Sequence, residues 1–556
     1  MSRLVGNTEY SWCRAVEGGT GITVVFVLLS KPPNFTILQN ALHNLQISHP
    51  ILRSKLTFST ESNSFSFTIP QTPHLQINQS PNLNLNPNLS FHQVLEHELN
   101  QNPWVNSNCG EDCWDVFVVT VYELGESKWG ISLRFHTAVC DRTSAVTVLR
   151  ELLGLIGGEG VGVGEGEEGV VNLGIEDLIP SGKANKPFWA RGIDLFGYSL
   201  NSFRFSNLGF CDVSSPRASG VARLQLDADE TTRLLAVTVE GVVGFDLEEW
   251  WRRRQRRGFQ IRGFVRELLG LIWKSGGGEG KEGVVNLGIE NLIPSGKANK
   301  PFWARGVDLF GYSLNSFRFS NSGFCDVSSP RASGVVRLQL DVDETTWLLA
   351  GCNRSGVKLC GALAAAGLIA AYTSKHDVDH QSEKYAVVTI IDCRKVLDPP
   401  LQNHNLGFYH SAVLNTNNID GRTGLWELAS RCYMSFANAI DSNKHFTDMG
   451  DLNFLMCKAI DNPSFTPSSS SRTSYISVFE DPVMDDFKSE ALLEVGLEDY
   501  VGCSSVHGIG PSIAVFDTIK DGRLDCAFVY PTPLHSREQI GDLIDHMKRI
   551  LVEGSL

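Results

Sequence analysis

The sequence predicts an α/β protein built from more than one domain. Apolar runs of strand length alternate along the chain with stretches of helical period. In the first third, a strand with period-2 patterning turns sharply into an amphipathic helix. The length of 556 residues is several times that of one ordinary domain.

The sharp corner is Leu133-Arg134-Phe135-His136-Thr137-Ala138-Val139-Cys140-Asp141-Arg142. Trp129, Ile131, Leu133 and Phe135 alternate with Gly130, Ser132 and Arg134, as in a half-buried strand. Val146, Leu149, Leu153 and Ile156 then recur at helical spacing. His136 falls where the strand stops, on the face opposite the apolar row. Asp141 falls where a helix takes an N-cap or first-turn carboxylate. An imidazole at such a corner can act as a base. The same two residues also read as a solvated histidine and an ordinary cap.

The other elements follow in order. Ile22–Leu29 is apolar enough for a buried strand. Asn34 can cap a helix bearing Ile37, Ala41 and Leu45. Ser64–Ile69 reads as a strand, residues 70–90 as a loop rich in Asn and Pro, and Phe91–Leu99 as a short helix. Asp115–Leu124 and Lys128–Phe135 are strands joined at Gly125-Glu126-Ser127. Beyond residue 350, Leu359–Tyr372 is a helix of small residues that can pack close to a sheet. Tyr385–Asp392 is a buried strand ending in Asp392-Cys393-Arg394, and Leu406-Gly407-Phe408-Tyr409-His410 opens another. Leu425–Ile440 is amphipathic, and residues 466–474 form a Ser-rich loop. Lys520-Asp521-Gly522 marks a hairpin between Ser512–Phe516 and Leu524–Val529. Ser536 and Gln539 form a capping-box pattern for the last helix, Ser536–Leu551. His410 and His507 read as structural residues in polar turns.

Composition narrows the function classes. A net charge of -14 argues against a general nucleic-acid binder. No apolar run approaches the length of a membrane span, and no signal peptide is evident. Thirteen cysteines, an odd number spread over a long chain, fit reduced thiols and a cytoplasmic location. Cys109 and Cys113, the closest pair, lack the neighbours of a zinc site.

Residues 170–236 recur at 284–350, identical at all but six positions: Asp177, Ile193, Leu208, Ala222, Ala228 and Arg233 of the first copy. Stacked repeats keep core positions and vary the surface, whereas here exposed-looking residues match as well. The pattern is that of a recent tandem duplication, or an error of gene assembly, rather than a solenoid. The intervening stretch holds Trp250-Trp251-Arg252-Arg253-Arg254-Gln255-Arg256-Arg257, which reads as an atypical linker. The organisation predicted is an N-terminal half (1–169), a first copy (170–236), a linker (237–283), a second copy (284–350) and a C-terminal half (351–556). The Gly-rich residues 157–169 lack the Lys-Ser/Thr ending of a phosphate-binding loop.

The order of these features resembles the chloramphenicol acetyltransferase-like superfamily. The order is His-Pro-x-Leu-Arg at His49–Arg53, the His136…Asp141 corner, the small-residue helix, then Asp392-x-Arg394 at a strand end. The superfamily includes nonribosomal peptide condensation domains, plant BAHD acyltransferases, alcohol acetyltransferases and mycobacterial polyketide-associated acyltransferases (phthiocerol/phthiodiolone dimycocerosyl transferase). The chain looks most like plant condensation-domain-like proteins of this group, over Gly6–Ile156 and Asp341–Leu551. The resemblance implies an α/β fold of two chloramphenicol acetyltransferase-like subdomains with a tunnel between them, plus the duplicated insert. It also implies an acyltransferase with no bound cofactor, which takes acyl-CoA or a carrier-bound acyl thioester and a small alcohol or amine as substrates.

The motif of that group is His-His-x-x-x-Asp-Gly, with the second His as general base. Aligned on Asp141, the first His is His136, the second falls on Thr137, and the final Gly is Arg142. A threonine hydroxyl is no substitute for imidazole near neutral pH. Catalysis by this motif would therefore fall to His136, with Asp141 in a structural role and Arg394 as its candidate partner. The alternative is a catalytically inactive relative that binds an acyl ligand or a protein partner.

Overall fold

Each half of the chain builds a sheet and covers it with helices, because each supplies strands too apolar to leave bare. The computed structural model describes residues 2–59, 61–79, 90–105, 113–125, 128–158, 320–321, 323–375, 382–485 and 494–556. The chain divides into two compact units, and all of these residues belong to the first. The first repeat copy, the linker and Cys109 lie outside the described residues, as does most of the Gly-rich stretch.

The N-terminal half holds a five-stranded sheet in the order Leu497–Val506, Thr20–Leu29, Trp129–His136, Phe117–Glu123, Ile77–Gln79. Its first strand comes from the C-terminal part of the chain and pairs antiparallel with Thr20–Leu29. Ile77–Gln79 lies inside the stretch read as a loop and adds a short parallel strand against Val119–Val121. Three residues are too few to show a period. A smaller four-stranded sheet runs Ser2–Leu4, Ser64–Thr68, Lys55–Ser59, Cys113–Asp115. Helix Phe35–Ser48 begins as expected, with the Asn34 side chain accepting from the Thr36 and Ile37 amides at 3.0 and 3.1 Å.

The C-terminal half holds the larger sheet, ordered His410–Ile419, Glu383–Asp392, Arg472–Phe479, Gly510–Lys520, Arg523–Thr532, Ala332–Gln339, with Val483–Asp485 pairing beside Gly510–Lys520. Three of these strands, Glu383–Asp392, Arg472–Phe479 and Gly510–Lys520, run parallel. Helix Leu359–Thr373 lies over them with nearly every side chain buried. Its small residues permit this. A Cβ on Gly361 would stand 2.9 Å from the Ala429 carbonyl oxygen of the neighbouring helix Leu425–Asp441. The last helix, Arg537–Glu553, is capped by Ser536, whose hydroxyl accepts from the Gln539 amide at 3.0 Å. The hairpin at Lys520-Asp521-Gly522 joins strands Gly510–Lys520 and Arg523–Thr532.

The second repeat copy supplies the edge strand Ala332–Gln339, and helix Val342–Arg354 runs through the expected boundary at residue 350. Among the described residues, side chains rather than another strand close that edge. Asn100 accepts from the Ser333 amide at 2.7 Å and donates to its carbonyl at 3.0 Å. Glu96 accepts from the Val335 amide at 2.7 Å, and Lys548 donates to the Gln339 carbonyl at 2.9 Å. Covering an edge in this way blocks pairing with another chain.

Asn100→Ala leaves both backbone groups of buried Ser333 without these partners. The expected loss of stability is about 1–3 kcal/mol, read by denaturant unfolding, with faster hydrogen exchange at the Ser333 amide.

Candidate functional site

Strand Trp129–His136, central in its sheet, places His136 opposite Ile22 of the neighbouring strand Thr20–Leu29. Gly130, Ser132, Arg134 and His136 share one face of it, and all four are buried. The half-buried strand read from the sequence is therefore covered on both sides. The physical reason lies in helix Phe91–Asn100. Its Glu98 meets Arg134 at 2.6 Å and accepts from Ser132 Oγ at 2.6 Å and from the Tyr122 hydroxyl. A charged and a polar residue can be enclosed on that face because an acid on another element satisfies them.

The His136 ring is only 1% exposed and packs edge-on against Trp104, with centroids 5.0 Å apart. Its Nδ1 accepts a hydrogen bond from the Ala138 amide at 3.2 Å. The neutral ring therefore carries its proton on Nε2, and its lone pair is already engaged. Burial pushes the imidazole down to about pH 3, so the ring stays neutral at ordinary pH.

Thr137 points elsewhere. Its Oγ1 donates to the Gly21 carbonyl at 2.5 Å and lies 2.7 Å from Thr23 Oγ1, which lies 2.7 Å from Ser504 Oγ. Each hydroxyl has one proton. With Thr137 donating to Gly21, Thr23 must donate to Thr137 and Ser504 to Thr23. Gly21 adopts φ +92°, and a Cβ there would stand 3.1 Å from Thr137 Oγ1, so glycine is required on both counts.

Asp141 caps helix Arg142–Ile156, accepting from the Ser144 amide at 2.8 Å. It is also the junction with the C-terminal half. Arg394 Nη1 stands 2.9 Å from Asp141 Oδ2, and Arg394 Nη2 donates to Oδ1 at 3.0 Å. The Tyr409 amide donates to Oδ2 at 2.8 Å. Arg394 also bonds Asp392 and Ser144. Burial alone would raise the Asp141 carboxyl. The Arg394 guanidinium, together with the His410 ring beside it, outweighs burial and holds the group well below the usual carboxylate range.

Arg142, first residue of that helix, also crosses to the C-terminal half. Its guanidinium meets Asp517 Oδ1 at 2.8 Å, lies 3.8 Å from the Phe479 ring centroid and donates to the Asp481 carbonyl. Burial raises the Asp517 carboxyl in spite of that partner.

The structure adds a residue that the sequence placed in a polar turn. His410 is the first residue of strand His410–Ile419 and is buried. Its neighbours Tyr409 and Val413 belong to an apolar cluster that draws the segment inward. His410 Nδ1 stands 2.9 Å from Asp141 Oδ2, close enough for electrostatic pairing but angled too steeply for a directed hydrogen bond. Its ring is edge-on to Phe479 at 5.9 Å and tilted beside Phe408 at 6.2 Å. Phe408 in turn lies 5.1 Å from Trp12, and Phe479 5.5 Å from Phe516. Nothing in the sequence order marked His410 out, because its partner lies 269 positions earlier. His507 does occupy a turn, where its Nδ1 lies 3.0 Å from Ser333 Oγ.

No protein-family model matches this chain, and no curated protein does. Solved structures do match. TRI3 trichothecene 15-O-acetyltransferase from Fusarium sporotrichioides is 9% identical, with a TM-score of 0.56, covering 100% of this chain and 95% of its own. Polyketide synthase associated protein 5 from Mycobacterium tuberculosis is 13% identical, with a TM-score of 0.50 and coverage of 100% and 97%. The first condensation domain of the calcium-dependent antibiotic synthetase, bound to a substrate analogue, is 10% identical, with a TM-score of 0.50 and coverage of 100% and 96%. The chain has the chloramphenicol acetyltransferase-like fold that acetyltransferases and condensation domains share. Among the described residues, no single helix is long and apolar enough to cross a membrane.

Arg394→Ala strands the Asp141 carboxylate in the interior, and the expected loss is about 3–5 kcal/mol. Asp141→Asn in the same chain should recover part of it, a coupling that a double-mutant cycle measures. The His136 ring protonates near pH 6.5 when unfolded but only near pH 3 when folded. Between those values the unfolded chain holds the extra proton, so this contribution to stability is present above pH 6.5 and lost as the pH falls towards 3. Denaturant unfolding of His136→Gln across that range should show a shallower dependence on pH than the parent.

Proposed function

We propose that the chain moves an acyl group from a CoA or carrier-bound thioester to a small alcohol or amine. The observation behind this reading is the Asp141–Arg394 pair. It holds the corner of one half against the strand ends of the other, beside the aromatic residues Trp12, Phe408, Phe479 and Phe516. An apolar wall with a few convergent polar groups suits a ligand with an acyl chain and one reacting carbonyl. In this reading the acceptor O–H or N–H attacks the thioester carbon, a base takes its proton, the C–S bond breaks and the thiol leaves.

The base must offer a free lone pair. His136, the base that the resemblance implies, meets this condition only after its Nδ1 sheds the Ala138 amide. Thr137 has committed its proton to the Gly21 carbonyl. These two observations favour a second reading, in which the fold binds an acyl ligand without transferring it.

Thiol release from acetyl-CoA and octanoyl-CoA by the full chain, with water, 1-butanol or butylamine as acceptor, separates the two. Release above the buffer rate is expected. Saturable binding of octanoyl-CoA with no release would favour the second reading, and the absence of both would remove the two together.

A further inference from the structure

We infer that the general base of this site is His410, oriented by Asp141, and that neither His136 nor residue 137 takes this part. The inference rests on the acyl-transfer reading above.

The buried imidazoles of His136 and His410 differ in which nitrogen is spoken for. His136 has its Nδ1 lone pair filled by an amide N–H. His410 has its Nδ1 2.9 Å from a carboxylate oxygen. A carboxylate beside Nδ1 draws the ring proton to that nitrogen and leaves the lone pair on Nε2. The two ring nitrogens diverge, so Nε2 of His410 points away from the Asp141–Arg394 clamp. The angle at Nδ1 is steep, and hydrogen bonds of catalytic groups commonly tighten in the Michaelis complex.

The surroundings of His410 also differ from those of His136. Phe408 and Phe479 flank its ring, and the row continues through half-buried Trp12 on one side and half-buried Phe516 on the other. These rings come from both halves of the chain. Trp12 also neighbours Gly21, whose carbonyl receives the Thr137 hydroxyl, so the row begins beside the corner itself. Trp12, Phe408 and Phe516 are only half-buried, so apolar surface for an acyl chain lies within two rings of His410.

In the step assigned here, His410 Nε2 takes the proton from the acceptor hydroxyl or amine as its oxygen or nitrogen bonds to the thioester carbon. The C–S bond then breaks, and the imidazolium returns the proton to the departing thiolate. Asp141 Oδ2 stabilises the transient imidazolium through Nδ1–H. The Arg394 fork keeps that carboxylate in place throughout.

Two measurements test this. The first needs no turnover: ¹⁵N spectra of the histidine rings in the full chain should show His410 as the Nδ1–H tautomer and His136 as the Nε2–H tautomer. His410 as Nε2–H would overturn the inference whatever the activity. The second is kinetic. Thiol release should fall at least about 100-fold in His410→Gln, with octanoyl-CoA binding unchanged, and fall further there than in His136→Gln. Imidazole added to His410→Gly should restore part of the rate, which a merely structural histidine would not allow. A parent that turns over equally well with His410→Gln overturns this assignment and leaves acyl transfer standing. A parent that binds octanoyl-CoA but never releases thiol overturns both.

Discussion

The buried fork between Asp141 and Arg394 is the contact on which the arrangement of the site depends. The two residues lie 253 positions apart and join the corner of one half to the strand ends of the other. Removing two charges from water costs several kcal/mol each, and their attraction repays this only when every lone pair and proton finds a partner. Here they do. Asp141 receives the guanidinium through both oxygens and two backbone amides, and Arg394 spends its remaining donors on Asp392, Ser144 and the Asn405 carbonyl. A fork this fully engaged fixes direction as well as distance. It sets the entry angle of helix Arg142–Ile156, and through Tyr409 it sets the start of strand His410–Ile419.

The parts of the fold that were legible in the sequence are those settled by neighbours along the chain. The cap at Asn34, the Ser536–Gln539 pattern, the hairpin at Asp521-Gly522 and the helical period after Asp141 all depend on residues within a turn or two. Arg394 was reached differently, through the resemblance that its strand end shares, because its partner Asp141 lies 253 positions away. What the sequence hid is pairing across long separations. Arg134 reads as the solvent face of a strand until Glu98, 36 residues earlier, is seen to neutralise it. His410 reads as a turn residue until Asp141 is seen beside it. The strand Leu497–Val506 carries no sign that it will leave its own half and complete the other sheet.

The duplicated segment shows the same limit from another side. Two nearly identical stretches carry equal local signals for a strand and a capped helix, so local pattern cannot choose between them. The structure uses residues 332–339 as a strand of the large sheet and residues 342–354 as the helix that follows it. Val336, one of the differing positions, packs against the core there, while Val342 and Trp347, two others, stay largely exposed. Most of the differences between the copies within this element therefore fall where packing is indifferent to them.

One oxygen of Asp141 meets the His410 ring, Arg394 and the Tyr409 amide together, so no substitution there removes one contact alone. Residue 137 carries no such load. Its hydroxyl serves a short chain of neutral hydrogen bonds that ends at Ser504, and no charge depends on it. A buried carboxylate must keep its cation, whereas a neutral hydroxyl can stand where an imidazole would otherwise be without leaving any charge unpaired. Residue 137 can therefore carry either kind of side chain while the Asp141–Arg394 pair stays in place. A ring brought in from strand His410–Ile419 approaches the same carboxylate from the opposite half of the protein.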